Sequence, residues 1–121
     1  MSVFLQILER DKLYQGKYFY LIYDRYPVSP GHILIISNDK KTDYFQLTAE
    51  EQGELPTLIN KAKELIEKEN TPKGYNIGMN CGEYAGQTVM HFHCHIIPRY
   101  KGDMVDPRGG IRHCVKGKGY Y

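Results

Sequence analysis

The segment His91-Phe92-His93-Cys94-His95-Ile96-Ile97 carries the most chemistry in the chain. On a β-strand, residues two apart share a face, so His91, His93 and His95 form one row of imidazoles while Phe92, Cys94 and Ile96 turn toward a core. A row of three is more than a core needs. Two chemistries use it. Imidazole is a zinc ligand, and a His-x-His pair on a strand can bind one ion. At about 3.3 Å rise per residue the outer histidines stand roughly 13 Å apart, so all three cannot share one ion at about 2.0 to 2.1 Å without strong convergence. A two-histidine site would have to recruit His32, His113 or a carboxylate, and the histidine stretch holds no acidic residue. The other chemistry is on phosphorus, where imidazoles act as nucleophile, base and donor.

The residues ahead of the row favour phosphorus. Asn80-Cys81-Gly82-Glu83-Tyr84-Ala85-Gly86-Gln87-Thr88 offers glycines that let backbone N–H groups approach an anion, together with amide and hydroxyl donors. The Gly-Lys-Ser/Thr ending of a Walker loop is missing. Such a loop alone is a plain turn; ahead of aligned imidazoles it forms an oxyanion cradle facing potential nucleophiles.

Four strands and one helix must place these groups. Lys17 to Asp24 and His32 to Ile36 read as strands joined through Pro27 and Pro30-Gly31, and a connection that short favours antiparallel pairing. Thr48-Ala49-Glu50-Glu51 has capping-box spacing, and Leu55, Leu58, Ile59, Ala62, Leu65 and Ile66 recur on one helical face. Pro56 predicts a kink or a later start. Tyr75 to Asn80 and His91 to Ile97 read as further strands, the last stopped by Pro98. The class is therefore α+β. Residues 98–121 form a basic, glycine-containing tail, with Arg99, Lys101, Arg108, Arg112, Lys116 and Lys118 against Asp103 and Asp106. It reads as an irregular solvated extension, or as a source of cations for phosphate or a partner.

Composition sets the outer bounds. A chain of 121 residues is one domain's worth, spanning 1–121 as a single module. Its 41% hydrophobic and 25% charged content is ordinary for a soluble protein, and no apolar run approaches the roughly 20 residues of a membrane span. A formal charge of +2 gives no broad footprint for nucleic acid. Three cysteines, Cys81, Cys94 and Cys114, contain no Cys-x-x-Cys pair, which points to a cytoplasmic chain without a disulfide scaffold. The start through Val3-Phe4-Leu5-Gln6-Ile7 lacks a secretory pattern and reads as part of the fold.

The histidine segment resembles the histidine triad motif, His-φ-His-φ-His-φ-φ with φ apolar. Ala85-Gly86-Gln87-Thr88-Val89 and Asp24-Arg25-Tyr26-Pro27-Val28-Ser29-Pro30-Gly31-His32 extend the resemblance over nearly the whole chain. It implies a histidine triad fold with an antiparallel sheet of about five strands, one long helix and a short helix, usually paired as a two-fold homodimer. It implies cleavage at the α-phosphate of a purine nucleotide derivative, with His93 as nucleophile, His95 on the phosphate and His91 in support. Asn80, Gly86, Gln87 and Thr88 match phosphate or leaving-group contacts, Asp24 matches the ribose contact, and His32 matches a histidine backing the site. Ile22, Leu34, Phe4 and Ile7 fall where the family lines its base pocket, and each also fits a plain core. Ala85 to Val89 and Pro98-Arg99 look most like the dinucleoside polyphosphate hydrolase and fragile histidine triad branch. The alternatives are an adenosine phosphoramidase and a non-catalytic nucleotide-binding module. The amino-terminal Cys-x-x-Cys that helps many members hold structural zinc is absent, so no zinc is expected and no cofactor is required. The expected partners are a purine nucleotide and a second copy of the chain, without nucleic acid or membrane.

Overall fold

The computed structural model describes residues 2–121; Met1 lies outside them. Strands β1 (Tyr14–Gln15), β2 (Phe19–Tyr23), β3 (Ile33–Ser37), β4 (Gly74–Gly78) and β5 (His93–Arg99) form one sheet in the order β1-β2-β3-β5-β4, every pair antiparallel. The α+β class and the five strands agree with the expectation. The two-residue β1 pairs Tyr14 with Leu21 and Gln15 with Tyr20, a segment too short to show alternation in sequence.

Helix α1 (Ala49–Glu67) starts where its capping box places it. Thr48 Oγ1 accepts from the Glu51 amide at 3.1 Å, and Glu51 Oε1 accepts from the Thr48 amide at 2.7 Å, satisfying two donors that the first helical turn leaves unpaired. The helix continues through Pro56. That residue is exposed, so the Gln52 carbonyl left without an amide donor turns toward water rather than core. Leu55, Leu58, Ala62 and Ile66 pack against Phe19, Leu21, Ile33, Ile35, Phe92, Cys94 and Ile96. Each buried Leu, Ile or Phe among them contributes about 1.5–3 kcal/mol by leaving water. The Glu54 carboxylate accepts from the Lys17 and Tyr18 amides at 2.9 and 2.8 Å, fastening the helix to the β1–β2 hairpin.

The last strand runs two residues further than the proline predicts. Pro98 pairs with Tyr75 in β4, whereas β3 pairs no further along β5 than Ile33 opposite Ile96. The Pro98 carbonyl faces that vacated side, where it accepts from Ser29 Oγ at 2.7 Å. A residue's missing N–H lies on the same side of a strand as its carbonyl, so the proline breaks no ladder bond. The strand also begins later than expected, at His93, and His91 sits in the bend before it.

Among the described residues no second α-helix accompanies α1; the short helices are 3-10 turns, including Val3–Gln6 and Gly110–Cys114. Residues 100–121 are irregular and mostly exposed, with contacts of their own that tie them together. Gly109 and Gly110 take φ of +91° and +44°, values that L side chains rarely adopt. Tyr120 Oη donates to the Asp106 carbonyl at 2.9 Å, His113 Nε2 bonds the Arg108 carbonyl at 2.9 Å, and the His113 and Tyr120 rings meet at 4.6 Å. Two tail arginines are neutralised inside it, Arg99 by Asp103 and Arg108 by Asp106.

Candidate active site

The sheet face opposite α1 carries the candidate residues. Register sets Ile22, Leu34, His95 and Gly78 in one row across β2, β3, β5 and β4, with Tyr20, Ile36 and His93 in the next. His93 and His95 are half-buried and adjacent, their ring centroids 5.4 Å apart. His91 is wholly buried.

Fixed donors and acceptors determine where each neutral ring holds its proton. The carbonyl of Ser37 can only accept, so His91 Nε2 donates to it at 2.7 Å, and His91 Nδ1 accepts from Ser2 Oγ at 2.8 Å. Burial, against the pull of that carbonyl, lowers the His91 pKa. His93 Nδ1 donates to the His91 carbonyl at 2.8 Å, which leaves the lone pair of the neutral ring on Nε2. The Val28 amide donates to His32 Nδ1 at 3.2 Å, so the His32 proton sits on Nε2, 2.9 Å from His95 Nδ1. His95 Nδ1 therefore accepts, and its own proton lies on Nε2. Burial, reinforced by the neighbouring His93 and His32, takes the His95 pKa down to about 4. Burial also lowers that of His32, opposed by Asp24. The outcome is a base at His93 Nε2 beside a donor at His95 Nε2.

Asp24 lies beyond this pair. Its Oδ1 accepts from the Tyr26 amide at 2.9 Å, and its Oδ2 stands 3.5 Å from His32 Nε2 and 4.0 Å from His95 Nδ1. Asp24, His32 and His95 have ligand atoms within 4.8 Å of one another, the spacing of a metal group. The fit to a metal is poor, because the Val28 amide holds the lone pair of His32 at Nδ1 and keeps the proton on the nitrogen that would have to ligate.

A cleft of about 940 Å³ gathers Asp24, His32, Asn80, Gly86 and His95. Gly82 and Gly86 turn the intervening loop at φ +100° and +96°, conformations that favour glycine. The lining of this cleft leaves out His93 and also Gln87, which is expected to contact phosphate. The buried Gln87 amide is used inside the loop, Oε1 accepting from the Gly82 amide at 2.8 Å and Nε2 donating to the Thr42 and Val89 carbonyls at 2.6 and 3.1 Å. Thr88 is exposed, and it too is outside the cleft lining. Ile22 and Leu34 are packed by Tyr20, Ile36, Phe4 and Ile7 into one cluster, so the four candidate base contacts form a closed apolar platform rather than an open pocket. Phe4 borders the chemistry, its ring 5.1 Å from that of His93 and 5.6 Å from that of His91.

Sequence reasoning missed Ser2, the Val28 amide and the Ser37 carbonyl, which together set the proton positions. Ser2 and His91 are 89 residues apart, and a backbone group has no residue type to flag it. Reasoning from the sequence also missed Ile111, Cys114 and Val115 of the tail, which line the cleft; their apolar spacing is the signal that was available.

Comparison with known proteins adds a family. The HIT domain family model matches residues 7–102. A Mycobacterium tuberculosis protein named AP-4-A phosphorylase is 34% identical over 90 residues, covering 74% of this chain and 46% of its own length. The bis(5'-nucleosyl)-tetraphosphatase (asymmetrical) of Schizosaccharomyces pombe is 43% identical over 77 residues, 64% of this chain and 42% of its own. The chain thus spans about half the length of the curated relatives it matches. The structure of Plasmodium falciparum diadenosine triphosphate hydrolase in complex with cyclomarin A superposes with a TM-score of 0.75 at 34% identity, over 83% of this chain and 68% of that one.

Proposed function

The chain belongs to the HIT domain family, and from that premise we propose that it hydrolyses a dinucleoside polyphosphate by passing a nucleotidyl group through His93. The observation that carries this is the proton arrangement: His93 Nδ1 is committed to the His91 carbonyl while His95, beside it, retains a proton on Nε2. His93 Nε2 attacks the α-phosphorus while His95 Nε2–H hydrogen-bonds a phosphate oxygen, the bond from phosphorus to the leaving oxygen breaks, and the leaving polyphosphate departs as an anion that takes any proton it needs from water. Water then attacks the same phosphorus and gives up a proton to solvent, the Nε2–P bond breaks, and a nucleoside monophosphate leaves. Splitting one displacement into two, with donors fixed in advance, lowers each barrier. Asp24 binds the ribose hydroxyls, Asn80 and the backbone around Gly86 hold phosphate oxygens, and the platform of Ile22, Leu34, Phe4 and Ile7 lies under the base. His91 and His32 act through the rings they contact. No step uses a metal, in keeping with the poor fit of the Asp24, His32 and His95 group. We also take the working unit to be a cytoplasmic homodimer of a single-domain chain.

The relatives' names support a dinucleoside polyphosphate over other nucleotide derivatives. One observation favours an amine leaving group instead, as in adenosine phosphoramidate: among the described residues, no Lys or Arg lines the cleft. Incubation with diadenosine tetraphosphate and with adenosine phosphoramidate separates the two. The proposal expects AMP and ATP from the former at the higher kcat/KM, and no AMP from His93→Ala. A preference for the phosphoramidate would move the protein to the other branch.

A further inference from the structure

The donor half of the site depends on which of two rings owns one proton. His32 Nε2 and His95 Nδ1 meet at 2.9 Å across a single hydrogen, and a neutral imidazole can give or accept at either nitrogen. While His32 owns that hydrogen, His95 Nδ1 accepts and His95 Nε2 carries a proton toward the site. In the reverse arrangement both rings are protonated on Nδ1, and His95 Nε2 turns a lone pair toward a phosphate oxygen, which repels it. Asp24 Oδ2, 3.5 Å from His32 Nε2 and 4.0 Å from His95 Nδ1, favours a hydrogen between the rings whichever owns it. The choice falls to the Val28 amide, whose N–H meets His32 Nδ1 at 3.2 Å and leaves no room for a proton there. That bond is at the long end of the range, so it lasts only while the turn that carries Val28 keeps its place.

The turn is fastened to the far end of the histidine strand. Val28 and Ser29 stand between Pro27 and Pro30, and the His32 amide closes the turn on the Ser29 carbonyl at 3.2 Å. Ser29 Oγ donates to the Pro98 carbonyl at 2.7 Å, replacing the bond that β3, pairing no further than Ile96, leaves unmade. Tyr100 Oη donates to the Pro30 carbonyl at 2.6 Å. Gly31, at φ +90°, brings the turn onto its support: a Cβ there would stand 3.6 Å from Pro98 Cγ and 3.4 Å from Ile66 Cγ2. The Val28 side chain is mostly exposed, so these anchors, rather than its own packing, hold its amide.

We propose that Ser29 and Tyr100 are positioning residues: by pinning the turn to β5 they keep the Val28 amide on His32 Nδ1 and, through His32, keep the proton of His95 on Nε2. The inference rests on the reading of His95 as the phosphate donor in nucleotidyl transfer, and names what holds that donor in its working tautomer. Neither side chain lines the cleft; both act through the backbone of the turn.

The test reads the tautomer itself. In protein labelled with 15N in its histidine rings, the ring-nitrogen shifts at pH 7.5 separate N–H from lone-pair nitrogens, and His95→Asn identifies the His95 signals. The parent should hold the His95 proton on Nε2. Ser29→Ala should show a measurable fraction of the Nδ1–H form, with kcat/KM for diadenosine tetraphosphate lower by about tenfold, the worth of one hydrogen bond. Ser29→Thr, which keeps the hydroxyl, should restore both readouts, and Tyr100→Phe, which loses only a hydroxyl at the surface, should move both in the direction of Ser29→Ala. A His95 tautomer unchanged in Ser29→Ala and in Tyr100→Phe would overturn the assignment whatever the rates, as would a parent with its His95 proton on Nδ1. The tautomer is read in the free protein, so either failure is distinct from failure of the transfer reading, which shows as no AMP release from the parent.

Discussion

Acid should weaken this fold through His95 in a way that can be isolated. In an unfolded chain an imidazole takes up a proton near pH 6.5, whereas His95 in the fold does so only near pH 4. Between those values the unfolded state binds the additional proton, so stability is intact above pH 6.5 and is lost as the pH falls toward 4. At pH 5 the loss from this one side chain is about 2 kcal/mol. Burial lowers His32 and His91 as well, so both add to the loss with the same sign. The perturbation is His95→Asn, whose Oδ1 takes the place of Nδ1 as acceptor for His32 Nε2–H. Urea unfolding at pH 7.5 and pH 5.0 gives the comparison. Carboxylates and the other histidines contribute to both proteins, so the difference in their pH dependence belongs to His95. At a urea slope of about 1–3 kcal/mol per molar, the midpoint of the unmodified protein should fall by roughly 1 M more than that of the variant. Parallel losses in the two proteins would refute the assignment of His95 as a half-buried neutral donor.

Three further outcomes follow from the same contacts. Gln87→Ala strips the Gly82 amide and the Thr42 and Val89 carbonyls of their partner, and should cost about 1–3 kcal/mol in denaturant unfolding; a change within error would return Gln87 to a role in the cleft. Gly109→Ala combines a φ of +91° with a Cβ 1.9 Å from the Gly119 oxygen, so limited proteolysis should cut within residues 103–121 far faster than in the parent, and an unchanged digest would contradict the built tail. Elemental analysis of the purified protein should find no stoichiometric zinc, since His32 keeps its proton on the nitrogen that faces the candidate group; one zinc per chain would contradict that proton assignment.

The face of the histidine strand was legible because alternation alone separates His93 and His95 from the buried Cys94 and Ile96. The capping box at Thr48 was legible because it is local, with Thr48 and Glu51 satisfying each other within one turn. What lay beyond the sequence depends on distant backbone. Pro98 reads as a terminator until the early end of β3 shows that its missing N–H faces no partner. Gln87 has the side chain of a phosphate contact, and only the positions of Thr42 and Gly82 reveal that its amide is already spent. His91 reads as the supporting member of the row, and only the structure shows that Ser2 and Ser37, from opposite directions, hold it buried. The tail's glycines and charges suit an irregular extension, and only the structure shows that Gly109 and Gly119 let backbone and His113 approach closely.

The central claim is that a nucleotidyl group resides on His93 Nε2 during turnover. The most direct measurement is an alkaline quench of the protein mixed with excess diadenosine tetraphosphate, followed by mass spectrometry of the intact chain and its peptides. The account predicts an increase of one adenylyl group, mapped to His93 and absent from His93→Ala. AMP release that continues in His93→Ala, or an adduct on any other residue, would contradict it.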